Sequence, residues 1–149
     1  MNIPTTDLTT RPPRSARTRL GGYAVLPRML DKGRAELIGK NGDDHFACPL
    51  DQHFLKFTGI DADALKLELA KGKGDGEILE WIEASAKQKR TPWEIVQWSA
   101  WRDQVVPSDV ETREFFNDLQ KDAGPMRQDI ATWADLLDLD DYVSFGGKA

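Results

Sequence analysis

Residues 43–54, DDHFACPLDQHF, hold both histidines of the chain, His45 and His53, its one cysteine, Cys48, and Asp51 between them. These residue types bind transition metals or supply a thiol nucleophile beside a base. A closed zinc site needs four ligands, commonly in paired spacings, and neither C-x-x-C nor H-x-x-x-H is present. Pro49 marks a helix start, and on that helix Asp51 and His53 diverge by about 160° around the axis. They cannot face one ion. The segment is read as holding no metal, and no cofactor is expected. A thiol nucleophile fits better, because Cys48 stands at the helix N-terminus, where free N–H groups and the dipole favour anionic charge. His45, three residues earlier, is the candidate base. The competing reading makes Cys48 a small packed hydrophobe shielded by Phe46 and Leu50. No oxyanion or orienting group can be named, so the chain leans away from being an enzyme, with Cys48 and His45 as the catalytic candidates otherwise.

Other spacings are weaker. GKGDGE (72–77) lacks the Gly-Lys-Ser/Thr ending of a phosphate loop and reads as a linker, with Asp75 capping the next helix. The acidic spacing from Asp61 puts Leu65, Lys66 and Gly72 where a calcium loop needs an oxygen ligand, glycine and glutamate. Trp93, Trp98 and Trp101 share one helix at roughly 0°, 140° and 80°, a wide face suited to a core. Were Trp98 exposed instead, it would mark a ligand or partner surface. Arg28, Arg34 and His53 join Trp98 as candidate ligand-binding residues, the arginines for an anionic ligand.

The elements that must position these residues are helical. Leu26, Leu30, Gly33 and Leu37 follow helical spacing, with Pro27 in the first turn. Gly33 inside that stripe implies a close helix–helix approach. Asn41-Gly42 marks a turn, with short flanking strands as an option. A helix from Pro49 carries Leu50, Phe54 and Phe57 and ends at Gly59. Asp61 caps a helix with Leu65 and Leu69, and a further helix bears Ile78, Leu79, Ile82 and Ala86. Thr91-Pro92-Trp93-Glu94 is a capping box opening a helix with Trp93, Val96, Ala100 and Trp101 inward. Ser108 to Glu111 repeats the box ahead of Phe115, Phe116 and Leu119. Met126, Ile130, Trp133 and Leu137 share the face of a last helix. The fold class is all-α: a compact bundle of six or seven short helices over 23–149, with an extended basic N-terminal arm over 1–22.

The chain has 149 residues and a net charge of −5. Residues 1–40 hold eight Arg and Lys against three Asp and Glu, and residues 41–149 hold twelve against twenty-two. Counterion release could draw such an arm to nucleic acid, but the acidic body opposes a polyanion and no aromatics interleave Arg11–Arg19. Nucleic acid is disfavoured. The arginines are expected instead to dock on acidic residues, above all within Asp129–Asp141. One cysteine excludes an intramolecular disulfide, and no apolar run reaches the ~18–20 residues of a membrane span. The N-terminus lacks a secretory h-region, which points to the cytoplasm.

GGYAVLPRMLDKGRAEL, CPLDQHFLKFTGIDADAL and DDYVSFGGKA together resemble a bacterial family catalogued as domain of unknown function 5069. The resemblance spans most of residues 7–149. It implies a bacterial origin and brings no activity or functional residue with it. The residues themselves favour a protein-interaction or self-association module, with a protein partner or a second copy as occupant. The alternative is a small-molecule-binding protein or enzyme using Cys48 and His45 with nearby arginines, and the third reading is weak nucleic-acid association through the arm.

Overall fold

A computed structural model describes residues 2–149. Helix α1 (Leu26–Leu37) is the element the others are built around, buried at every residue from Leu26 to Ala35. Pro27 lies in its first turn, where no N–H is required. Leu26, Met29 and Leu30 join the main core, and Gly33 admits Leu69 and Phe46. A Cβ at Gly33 would meet Leu69 Cδ1 at 2.7 Å and a Phe46 ring carbon at 3.1 Å. Gly33→Ala is therefore expected to lose about 1 kcal/mol, because overpacking (about 1–3 kcal/mol) outweighs the helix-propensity gain of about 1 kcal/mol. Urea unfolding measures it, and a more stable variant would refute the tight approach.

Six further helices are present among the described residues: α2 (Pro49–Thr58), α3 (Ala62–Ala70), α4 (Asp75–Ser85), α5 (Pro92–Gln104), α6 (Val110–Ala123) and α7 (Trp133–Ser144). The fold is all-α. Gly59 ends α2 in the left-handed conformation, at φ +70°. Asp61 Oδ1 accepts from Ala64 N–H at 2.9 Å, and Thr91 with Glu94 closes the box that starts α5. Residues 39–44 turn without strands, and the described residues contain only an isolated bridge between Leu20 and Tyr23.

Four local expectations need correction. Asp75 is the first residue of α4 rather than its cap, and its carboxylate is drawn to Arg14 and Arg34. Asp109, not Ser108, caps α6, paired with Thr112. Helix α7 starts only at Trp133. Ile130 is buried from the preceding loop, while Met126 is 86 % exposed. Helix α5 turns a different face inward: Trp93, Val96 and Trp101 are exposed, while Ser99 and Arg102 are buried and Ile95 and Trp98 are partly so. The reason is local pairing. Trp98 stacks on Phe57 with centroids 4.9 Å apart, and Ser99 Oγ donates to Gly22 O at 2.6 Å and accepts from Ala24 N–H at 2.9 Å.

Tyr23, Phe54, Leu65, Leu69, Ile78 and Ile82 fill the main core with α1. A smaller cluster joins α6 to α7 through Phe116, Ile130, Leu136 and Leu139. The N-terminal segment lies on the body, with Leu8 and Ala16 buried. Arg14 pairs with Asp31 and Asp75, Arg17 with Asp135 and Asp138, and Arg19 with Asp103.

Candidate functional site

A cleft of about 780 Å³ opens where α1, α2, α5, α6 and α7 meet. Its apolar wall includes Leu50, Val105, Phe115 and Leu137, with the indoles of Trp101 and Trp133. Its polar groups are Arg28 and Lys32 from α1, Asp43, Asp44, His45 and Cys48 from the loop before α2, His53 from α2, and Arg102 from α5. An apolar cavity with a few convergent polar groups is the usual form of a small-molecule site.

Two of its buried cations have acidic partners. Arg28 donates to both carboxylate oxygens of Asp141, at 2.7 and 3.3 Å, and lies 3.9 Å from Asp44. Lys32 Nζ stands 2.9 Å from Asp51 Oδ2 and donates to Cys48 Sγ at 3.1 Å. Asp51 is fully buried, and neither of its oxygens receives a well-directed hydrogen bond, so the Lys32 contact is an ion pair without ideal geometry. Burial pushes the Asp51 carboxyl above the ordinary aspartate value, against the opposing pull of Lys32.

Arg102 is different. It is 4 % exposed, no carboxylate pairs with it among the described residues, and its Nε and Nη1 have no hydrogen-bond partner. Burial pushes its guanidinium below the ordinary value, and it nevertheless remains charged. Burial also lowers His53, aided by Arg102 and Lys56, which favours its neutral imidazole. The His53 ring lies 5.5 Å from that of Trp101, and its Nδ1 is buried without a partner.

The structure thus brings together Cys48, His45, Arg28 and His53 from the candidates named above. It separates Arg34 and Trp98 from them. Arg34 bonds Asp75 at 2.8 Å and Lys73 O at 3.2 Å, and Trp98 packs between Phe57, Phe54 and Tyr23. His45 is exposed, and the group bonded to Sγ is Lys32. Cys48 is only partly buried and lines the cleft, rather than being sealed behind Phe46 and Leu50. Ala47, immediately before it, is held at φ +59°, a left-handed conformation that non-glycine residues seldom take. Sequence reasoning missed Lys32, Asp51 and Arg102 as one group. One signal was available: Ile95, Ser99 and Arg102 follow helical spacing, so the inward stripe of α5 ends in an arginine.

No group of three or more His, Cys, Asp or Glu side chains is arranged to hold a metal among the described residues. Among the described residues no helix is long and apolar enough to cross a membrane. Among the described residues, six helices around a charged central helix, with an apolar cleft open to one side, define an all-α domain with a small-molecule-sized cavity. The family model described as Domain of unknown function (DUF5069) matches residues 10–143, and the chain belongs to that family. No curated protein matches it.

Proposed function

We propose that the protein binds a small organic anion with an apolar body in this cleft. The observation that carries the reading is the unpaired guanidinium of Arg102. A buried cation without a partner costs several kcal/mol in effective desolvation, and buried charges are ordinarily paired. A carboxylate entering the cleft would supply the missing charge and accept the guanidinium's paired N–H donors. Trp101, Trp133, Phe115 and Leu137 would cover the apolar remainder.

Phenylacetate, against its uncharged analogue phenylacetamide, tests this by thermal shift and calorimetry. The carboxylate should raise the thermal midpoint at millimolar concentration and the amide should not. Arg102→Met should abolish that response while leaving the unliganded protein about 1–2 kcal/mol more stable, since it removes an unpartnered buried charge. Equal responses to acid and amide, or none to aryl and alkyl carboxylates across a size series, would refute the reading.

A second reading, a protein-interaction or self-association module, draws support from the exposed Trp93 and Val96 of α5 and Val110 and Phe115 of α6. Sedimentation that depends on protein concentration, unchanged by Arg102→Met, would favour it. The nucleic-acid reading loses its main support, because Arg14, Arg17 and Arg19 are engaged by aspartates of the same chain.

A further inference from the structure

We propose that Cys48 is a nucleophile that the cleft directs onto electrophilic organic acids, a role that rests on the anion-binding reading of Arg102. Three observations converge. Cys48 is only partly buried and lines a cavity large enough for a small substrate. Lys32 Nζ, 3 % exposed, is fixed between Sγ at 3.1 Å and Asp51 Oδ2 at 2.9 Å, so the sulfur is held in one place by a buried ion pair. Arg102 lines the same cavity beside the Trp101 ring, with no carboxylate partner among the described residues and with its Nε and Nη1 unbonded.

Each group then has a distinct task. Arg102 holds the carboxylate of the substrate, the apolar wall holds its body, and Lys32 offsets charge as it develops on sulfur. The N-terminus of α2, which Cys48 immediately precedes, adds to that positive surrounding. Asp51 adjoins the thiol and Lys32, and its burial suits it to receive a proton. The substrate class is an organic acid carrying a leaving group on a carbon near its carboxylate. Sγ forms a bond to that carbon, and the bond from carbon to the leaving group breaks. The leaving group departs with the electron pair, and the thiol proton passes to the Asp51 carboxylate. No redox partner is consumed.

The full chain has one cysteine, so alkylation reports on Cys48 alone. Iodoacetamide and iodoacetate are the probes, one neutral and one anionic, with the urea-denatured protein as reference. The net charge of −5 disfavours the anionic reagent everywhere except a local cationic site, which makes a preference for it diagnostic. In the native protein iodoacetamide should react about tenfold faster than in the denatured chain, as expected for an activated thiol. Iodoacetate should gain about a further tenfold relative to iodoacetamide, the scale of one favourable charge contact. Arg102→Met should erase that second gain, and phenylacetate should protect Cys48 from both reagents. Native iodoacetamide reactivity at or below that of the denatured chain overturns the nucleophile while leaving the phenylacetate result standing. Fast iodoacetamide with no preference for iodoacetate overturns the assignment to organic acids, whereas the anion-binding reading stands or falls on phenylacetate against phenylacetamide.

Discussion

Lys32→Met is expected to destabilise the protein by about 3–5 kcal/mol, the usual cost of leaving one member of a buried ion pair alone. Asp51 has no other cation at salt-bridge distance and no well-directed hydrogen bond, so its charge would be stranded in the interior. Denaturant unfolding at neutral pH gives the number. The pH dependence supplies a second check. Asp51 already has a folded value above that of the unfolded chain, so protonation favours the fold. Its contribution is complete below the ordinary aspartate value and fades as pH rises through the folded one. Removing Lys32 takes away a lowering influence and moves the folded value higher still, so the deficit of Lys32→Met should narrow in acid. The double variant Lys32→Met/Asp51→Leu should recover most of the loss, because an apolar pair needs no compensation. A single-variant loss below about 1 kcal/mol would mean the pair is effectively solvated, as surface pairs are.

Truncation of residues 1–19 should cost about 1.5–6 kcal/mol, through two contributions that salt separates. Leu8, 2 % exposed, accounts for about 1.5–3 kcal/mol of apolar burial, which salt does not screen. Five ion pairs are lost with Arg14, Arg17 and Arg19. Their arginines are more than a third exposed, so each contributes only about 0–1 kcal/mol after screening. Raising ionic strength should therefore shrink the deficit without abolishing it, leaving the apolar part. Thermal unfolding of full-length and truncated chains across a salt series reads both. A neutral truncation, together with salt-sensitive oligonucleotide binding by the intact chain, would show that the segment faces outward.

Helix starts were legible where the cap is a local hydrogen bond. Asp61 to Ala64 and Thr91 to Glu94 are settled within four residues, and both were readable. Competing caps one residue apart were not: Asp109 displaces Ser108 because Thr112 answers it from the N3 position. Apolar spacing misled at Ile130, which reaches its core from a loop in continuous register with Trp133 and Leu137. It misled again on α5, which has apolar residues all round, so that Trp98 on Phe57 and Ser99 on Gly22 choose the inward face. Cys48 and His45 stood out because Pro49 marks a helix start beside them. Arg102 did not. Whether an arginine ends paired or alone depends on which carboxylates arrive from distant segments, and spacing along the chain carries no record of that.

The buried central helix also sets a clock. Arg28 of α1 is completed by Asp141, 113 positions later in the chain, and Lys32 and Arg34 await Asp51 and Asp75. At about 5–20 residues per second of synthesis, Arg28 is made roughly 6–23 s before its carboxylate partner. Within that interval Asp51, Asp75 and the core residues through Ile82 are made in turn, while Arg28 alone still lacks its carboxylate from α7. The helix at the centre of the finished molecule is among the first made, and its last ion pair waits for α7.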